Sequence, residues 1–266
     1  MNNTDFRSRY GPWAVVAGAS AGLGAEYATQ LAVRGLNLVL IARRKEMLDE
    51  LGAQLAEEYS VEVRTLELDL ASEESGPRVA EFTGDIEVGL LVYNAAVSII
   101  GPFFETPLQK HLDEIDVNVR GVLTLTYLLG RRMLERKRGG MLLMSSLSSL
   151  QGSALIANYT ATKAYDRLLA EGLWEELRTQ GIDVLVCIAS SISTPGYLAS
   201  QPEAGPVSAM TPRAVATEAL AALGKQPTVI PGRGNRMASV VMQRLLPHKM
   251  AIQIMGRVIR GMYQKA

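Results

Sequence analysis

The chain has 266 residues, of which 48% are hydrophobic and 20% are charged, so it can bury a large core and is not expected to be disordered. Its 27 basic and 27 acidic residues give a formal net charge of zero, which offers no reason to expect a nucleic-acid partner. A single cysteine, Cys187, excludes an intrachain disulfide and a multi-cysteine metal site, so no metal is expected.

Short β-rich runs alternate with longer helical patterns, which is typical of parallel strands joined by crossover helices. We predict strands over 14–17, 36–42, 61–68, 88–93, 141–144, 184–188 and 228–230. Helices are predicted from Gly24 to a C-cap at Gly35, and over 45–59, 73–82, 108–137 and 159–179. The sequence therefore predicts one α/β domain over 1–266, a doubly wound parallel sheet with helices on both faces. Residues 1–7 lack an apolar signal segment, so we expect a cytoplasmic protein.

The first predicted strand turns into a helix through Gly18, Gly22 and Gly24, with Ser20 and Leu23 between them. Three positions without side chains let the backbone bend tightly and approach an anion, which then meets the free N–H groups of the helix. This is how a Rossmann-type unit holds a dinucleotide pyrophosphate. An ordinary turn whose small residues serve packing is the alternative.

Two arginines, Arg43 and Arg44, follow the second predicted strand. In an NAD-binding unit an acidic residue at about this place bonds the ribose 2′-hydroxyl. A carboxylate would repel a 2′-phosphate, whereas a guanidinium matches its oxygens and carries the opposite charge. Arg43, together with Arg44 and Ser20, therefore favours NADP(H) over NAD(H), unless both arginines merely solvate a helix N-terminus.

Ser146 is followed thirteen positions later by Tyr159 and then by Lys163. Residues four apart share one face of a helix, so the Lys163 ammonium can lie beside the Tyr159 hydroxyl and favour its phenolate form. Tyr159 then becomes a usable acid or base, while Ser146 can donate a hydrogen bond to a substrate oxygen. A Tyr-x-x-x-Lys pair on a solvated helix face is the alternative.

The ordered motifs over 13–195 together resemble the short-chain dehydrogenase/reductase family. The resemblance rests on the glycine turn, the Leu68-Asp69-Leu70 segment, Asn94-Ala95, Asn118, and the serine, tyrosine and lysine at 146, 159 and 163. It implies a cofactor site formed by Gly18, Ser20, Gly22, Leu23, Gly24, Arg43, Arg44, Asp69, Leu70, Asn94, Ala95, Tyr159, Lys163, Ile192 and Thr194.

The same resemblance implies a mechanism. Tyr159 donates a proton to a ketone oxygen that Ser146 orients, Lys163 binds the nicotinamide ribose, and Asn118 supports a water chain that resupplies the proton. Two of the implied residues have structural alternatives, because Asp69 could cap a helix and Asn118 could satisfy a buried backbone bend.

Four positions in three segments depart from the family pattern. Ala17 stands where a threonine is usual, Ala96 replaces the glycine of Asn-Ala-Gly, and Ala189-Ser190 occupies the usual Pro-Gly. These changes concern the posture and affinity of the cofactor, and they remove no catalytic group.

Substrate choice is expected to lie beyond Thr194, where residues 195–212 are predicted to form a flap over the active site. From 219 to 266 there are eight Lys or Arg residues and no acidic one, so this end carries a formal +8 against −8 for the rest. A basic amphipathic helix is predicted within 237–266, with Ala251, Ile254, Met255, Val258, Ile259 and Met262 opposite Gln253, Arg257 and Arg260. Core packing, a wall of the substrate pocket, a subunit contact, a membrane surface, an acidic acyl-carrier protein and an acyl-CoA phosphate all remain open for it.

The surroundings of the first glycine motif are similar to the branch that contains hydroxysteroid dehydrogenases and 3-ketoacyl reductases. We therefore expect an NADPH-dependent, reversible reductase of a hydrophobic ketone, a steroid or a 3-ketoacyl group, assembled as a homodimer or homotetramer. The alternative is a catalytically silent NADP-binding protein that senses redox state or acts as a scaffold.

Overall fold

The computed structural model describes residues 2–195, 197 and 209–263. Its strands are β1 (Trp13–Ala17), β2 (Asn37–Ala42), β3 (Val63–Glu67), β4 (Val88–Tyr93), β5 (Gly139–Ser146), β6 (Ile182–Ala189) and β7 (Thr228–Val229). They form one sheet in the order β3-β2-β1-β4-β5-β6-β7, and all neighbouring pairs are parallel. The predicted parallel sheet of about seven strands is therefore confirmed.

The α-helices in the described residues are α1 (Asn3–Tyr10), α2 (Gly22–Ala32), α3 (Lys45–Tyr59), α4 (Ser75–Phe82), α5 (Leu108–Ile115), α6 (Val122–Arg136), α7 (Ala157–Leu177), α8 (Pro212–Ala222), α9 (Arg233–Val240) and α10 (His248–Tyr263). In this part of the chain, no helix combines the length and the apolar character needed to cross a bilayer.

Helices cover both faces of the sheet, and the sequence of β1 shows why. All five residues of β1 are buried, and successive side chains of a strand point to opposite faces. Ala14 and Val16 pack in a core with α2, α3 and α8, whereas Val15 and Ala17 pack in a second core with α4, α6 and α7. The doubly wound arrangement is therefore confirmed, and Cys187 of β6 is buried as its apolar neighbours predict.

The chain reverses its direction of travel across the sheet at β1, which pairs with β2 on one side and with β4 on the other. In an open parallel sheet, a crevice for ligands forms beyond the carboxyl ends of the strands at such a switch point. The predicted site residues that follow β1, β2, β4 and β5 therefore converge on one edge of the sheet.

The helical region predicted over 108–137 is observed over 108–136, and within it a π-helical segment, Asp116–Gly121, separates α5 from α6. The π-helical segment forms at a contact with another strand: the Tyr93 hydroxyl of β4 donates to the carbonyl of Val117 at 2.7 Å, and the side-chain amide of Asn118 hydrogen-bonds to the backbone of Val97. Only glycine fits at position 121, because a Cβ on Gly121 would lie 2.3 Å from the Tyr93 hydroxyl. Hydrophobic periodicity continues across this wide turn and does not reveal it.

The N-terminal helix α1 was not predicted. Its amino end is capped by the Asn2 side chain, which accepts from the backbone N–H of Asp5 at 2.9 Å, and only Phe6 and Tyr10 are buried. The cap was a readable signal, but two apolar residues in eight give almost no helical periodicity.

Most of the predicted flap, residues 196 and 198–208, lies outside the described residues. The predicted basic tail is helical, through the end of α9, a π-helical segment (Val241–Leu245) and α10, up to Tyr263.

Candidate active site

The glycine turn brings the start of α2 to the edge of the sheet. Gly18 and Gly22 have positive φ angles of 84° and 60°, which glycine adopts without strain. Ala21, the N-cap residue of α2, offers no side-chain hydrogen bond, so the cap leaves the first N–H groups of the helix for another acceptor. Gly18, Ala21, Gly22 and Leu23 line a cleft, and this donor set suits a phosphate group.

Gly24 lies behind this surface and does not line the cleft. A Cβ on Gly24 would lie 1.9 Å from the carbonyl oxygen of Gly18 and 2.8 Å from Asn94 Nδ2. Asn94 Nδ2 in turn donates to the Gly18 carbonyl at 3.1 Å, while the N–H groups of Asn94 and Ala95 both donate to Ala17 at 2.9 Å. The third glycine therefore allows β1, α2 and the segment after β4 to pack closely, and Asn94 and Ala95 reach the cleft beside it.

Arg43 and Arg44 lie at the exposed end of the same cleft, where β2 stops. Nε and Nη2 of Arg44 donate to the Ser20 hydroxyl at 3.2 and 2.8 Å. The structure thus brings together Ser20 and both arginines, with Arg44 in direct contact with the glycine turn. Two guanidinium groups and a hydroxyl can bind a 2′-phosphate, and none of the three residues carries a carboxylate that would repel it.

The segment after β3 contributes Leu68, Asp69 and Leu70 to the cleft. Asp69 Oδ1 accepts from the N–H of Ala71 at 3.0 Å, so the carboxylate supports its own turn. Helix α4 begins only at Ser75, and Asp69 is not its cap. Asp69 therefore lines the cleft and also forms a structural hydrogen bond, and its contact with the cofactor stays a prediction.

Ser146, Tyr159 and Lys163 line the opposite end of the cleft. Ser146 ends β5, and its Oγ accepts from the N–H and the hydroxyl of Ser148 at 3.3 and 2.9 Å. Tyr159 and Lys163 lie one turn apart on α7, and the Lys163 side chain is 3% exposed. The three predicted residues are therefore brought together, and a solvated helix face does not describe the lysine.

Asn118 is fully buried and does not line the cleft. Its amide oxygen accepts from the N–H of Val97, and its amide nitrogen donates to the Val97 carbonyl, both at 2.8 Å. The nitrogen also donates to the Thr162 hydroxyl at 3.0 Å, which itself donates to the carbonyl of Tyr159 at 2.8 Å. Asn118 therefore satisfies a backbone bend, which was its structural alternative, and connects that bend to the turn that carries Tyr159, while its support of a water chain stays a prediction.

Two buried carboxyl groups near the lysine were missed by the sequence analysis. Asp166 Oδ2 accepts from Lys163 Nζ at 2.9 Å, and burial raises the pKa of Asp166 to about 6 although the lysine opposes this. Glu114 accepts from the N–H of Ile99 at 2.9 Å and from Asn158 Nδ2 at 2.7 Å, and burial raises its pKa as well. An acidic residue one turn after Lys163 and another one turn before Asn118 were the available signals.

The C-terminal helix α10 closes the cleft on one side, with a wall formed by Met255, Val258, Ile259, Met262 and Tyr263. Ile192 and Thr194 line the same cleft, and their contact with the cofactor stays a prediction. Among the roles left open for the tail, the structure shows one, because α10 forms part of the wall of the cleft. The whole cleft encloses about 900 Å³, which is at the upper end of the range for small-molecule sites.

Across residues 2–195, 197 and 209–263, no three His, Cys, Asp or Glu side chains are grouped so that they could hold a metal ion.

Comparisons with known proteins agree with this arrangement. Residues 12–203 match the family model for short chain dehydrogenases. The chain is 33% identical over 234 residues to a 7beta-hydroxysteroid dehydrogenase of Clostridium sardiniense, covering 87% of this chain and 90% of that protein. It is 34% identical over 188 residues to a very-long-chain 3-oxoacyl-CoA reductase of Homo sapiens, covering 69% of this chain and 60% of that protein.

Solved structures give the same picture. A structure from a study of 7beta-hydroxysteroid dehydrogenase stereoselectivity superposes with a TM-score of 0.90 at 28% identity, covering 96% of this chain and 99% of that one. A short-chain dehydrogenase from Sphingobium yanoikuyae in complex with NADPH superposes with a TM-score of 0.77 at 26% identity, covering 88% and 94% of the two chains.

Proposed function

The chain belongs to the short-chain dehydrogenase/reductase family of oxidoreductases, which act on CH–OH and C=O groups, and we propose that it is an NADPH-dependent reductase of a hydrophobic ketone. The observation that carries the proposal is that one cleft holds the glycine turn, the Arg43, Arg44 and Ser20 rim, and the Tyr159 and Lys163 pair.

The cofactor preference follows from the rim. Two guanidinium groups and a hydroxyl offer charge-assisted donors to a 2′-phosphate, while the N–H groups at the start of α2 suit the pyrophosphate. Ala96, which departs from the family pattern, lines this cleft, and the cleft still encloses about 900 Å³.

The chemistry of the ketone is assigned to the other end of the cleft. When bound, NADPH supplies the hydride that forms the new C–H bond, and it leaves as NADP⁺. Tyr159 gives its proton to the carbonyl oxygen as the π electrons of the C=O bond move onto that oxygen. Ser146 donates a hydrogen bond to the same oxygen, and a proton from solvent restores Tyr159. Asn118 does not contact the substrate. Its hydrogen bonds to Val97 and Thr162 fix the segment after β4 against the turn of α7 that carries Tyr159.

The substrate class is inferred from the wall of α10. Four of its five cleft-lining side chains are wholly apolar, and an apolar wall stabilises a substrate in proportion to the apolar area that it buries. Among the relatives, the 7beta-hydroxysteroid dehydrogenase aligns over more of both chains than the 3-oxoacyl-CoA reductase does. We therefore place ketosteroids first and 3-ketoacyl thioesters second.

The test follows NADPH absorbance with ketosteroids, 3-ketoacyl thioesters and a small aliphatic ketone as substrates. We expect consumption with a large apolar ketone, and a loss of about 100-fold or more in turnover for Tyr159→Phe with little change in NADPH affinity. Tyr165→Phe on the same helix is the matched control, because Tyr165 does not line the cleft. Full turnover by Tyr159→Phe would refute the assignment of the acid.

The cofactor assignment is tested on the same proteins by titration with NADPH and NADH. Replacing Arg43 and Arg44 together with alanine removes the charged donors and should weaken NADPH binding by about 10- to 100-fold, with little effect on NADH. Arg78→Ala, at an exposed position outside the cleft, serves as the control. Equal losses for both nucleotides would contradict a site for a 2′-phosphate.

A further inference from the structure

A buried ion pair joins Lys163 of the candidate active site to Asp166, whose carboxyl group has no role in the mechanism proposed above. Lys163 Nζ donates to Asp166 Oδ2 at 2.9 Å and to the carbonyl oxygen of Met144 at 3.0 Å. The side chains of Lys163 and Asp166 are only 3% and 1% exposed. Two of the three N–H donors of the ammonium are therefore committed to the protein, and one is left for a ligand or for Tyr159.

The charge balance around Lys163 explains how an ammonium can persist in this interior. Burial by itself lowers the pKa of Lys163, but the charges of Asp166, Tyr159 and Glu114 outweigh burial and raise it above the ordinary value. Asp166 is the largest of these opposing influences and is the one that also accepts a hydrogen bond.

The other titratable groups near the pair leave this role to Asp166. Glu114, from α5, directs its two oxygens to the N–H of Ile99 and to Asn158. Burial raises the pKa of Tyr93, from β4, and partial burial raises that of Tyr165, on α7, and the charge of Asp166 raises both further. Among the described residues around the pair, the carboxylate in hydrogen-bond contact with the ammonium is that of Asp166.

We propose that Asp166 is a positioning residue that keeps the Lys163 ammonium charged and directed at the end of β5, so that the cation stays available beside Tyr159. Asp166 itself lies below the cleft surface and touches no substrate. Its second oxygen, Oδ1, is buried without a hydrogen-bond partner, so the carboxylate is oriented by the lysine and by packing. The relevance of this pair to turnover rests on the proposed function, whereas its effect on the charge of Lys163 does not.

The first test measures the charge of Lys163 in the ligand-free protein. Protein labelled with ¹³C at the ε-carbon of lysine is titrated by NMR, and Lys163→Arg identifies the resonance by its absence. We expect Lys163 to stay protonated past the pH at which exposed lysines titrate, and Asp166→Asn to lower its pKa by about one to two pH units or more. Asp166→Glu restores the charge and should recover most of the difference.

Glu175→Gln is the matched control, because Glu175 and Arg178 form an ion pair at the same i,i+3 spacing on an exposed part of the chain. It should leave the Lys163 titration unchanged. If Lys163 titrates at the same pH in Asp166→Asn as in the unaltered protein, or if Glu175→Gln shifts it equally, the proposal is overturned. Should Asp166→Asn not fold, Asp166→Ala removes the same charge with a smaller side chain; a lowered titration of Lys163 in that variant supports the proposal and an unchanged one overturns it.

The second test asks whether the charge is used. For alcohol oxidation by the Asp166→Asn enzyme, we expect turnover to fall as pH rises through the lowered pKa of Lys163, a basic limb that the unaltered enzyme lacks. A uniform loss at all pH values would indicate a merely structural role and would overturn the positioning role. Absence of turnover in the unaltered enzyme would instead count against the proposed function, and the NMR titration would still decide the ion pair.

Discussion

Replacing Gly24 with alanine tests whether the third glycine of the turn serves packing and not direct ligand contact. The added Cβ would lie 1.9 Å from the carbonyl oxygen of Gly18. Relief requires the two backbones to separate by roughly 1 Å, and protein interiors tolerate such shifts poorly. Gly18 cannot move freely, because its N–H donates to Ile41 at 2.8 Å and its carbonyl accepts from Asn94 at 3.1 Å.

The expected change in the free energy of unfolding is the difference between two opposing effects. Overpacking costs about 1–3 kcal/mol, and more where backbone meets backbone, whereas alanine gains up to about 1 kcal/mol over glycine within a helix. We therefore expect Gly24→Ala to lower the free energy of unfolding by about 2 kcal/mol. NADPH affinity should fall by about tenfold or more, since the displaced Gly18 lines the cleft.

Gly172→Ala is the matched control. Gly172 lies within α7, and a Cβ there would have no heavy atom within 4 Å. The same substitution should therefore stabilise the protein by about 0.5–1 kcal/mol and leave NADPH binding unchanged. Urea unfolding followed by circular dichroism and fluorescence titration with NADPH give both quantities. If Gly24→Ala is as stable as Gly172→Ala, the close-packing explanation of Gly24 is refuted.

Two further predictions concern buried polar groups away from the chemistry. Asn118→Ala removes both hydrogen bonds to Val97 and should lower the free energy of unfolding by about 1–3 kcal/mol; a change below about 0.5 kcal/mol in urea unfolding would show that water replaces the amide. Burial raises the pKa of Cys187 to about 12, so at pH 8 only about one thiol in 10⁴ is ionised, and Ellman's reagent should react with Cys187 only after unfolding.

Local spacing was enough to predict the parts of the site that come from single segments. The glycine turn, with its positive φ angles at Gly18 and Gly22, follows from residues within seven positions of one another. The hydrogen bond from Arg44 to Ser20 depends in addition on β1 and β2 being neighbours in the sheet. The alternating strand and helix patterns favour this arrangement, because crossover connections usually join parallel strands that are neighbours.

Interactions that depend on burial were not predictable in the same way. Asp166 lies three residues after Lys163, a spacing that on most helices gives a solvated ion pair of little consequence. Only the packing of α7 against β5 makes the pair buried, with Lys163 bonded to the carbonyl of Met144. The π-helical turn at Asn118 was not predicted for a related reason, because it depends on a hydrogen bond from the Tyr93 hydroxyl of another strand.

In the proposed function, the proton transfer and the choice of substrate depend on two different helices. The predicted acid, Tyr159, and its lysine lie on α7, while the apolar wall that faces them comes from α10, about 100 residues later in the chain. Periodicity identified the apolar stripe of α10, but a stripe of this kind packs equally well on a core, a partner or a membrane. Because Val258 lines the cleft and is still 43% exposed, α10 forms the edge of the opening as well as its wall. We therefore expect changes in α10 to alter which ketone the protein accepts without moving Tyr159, the proposed acid, or Lys163 on α7.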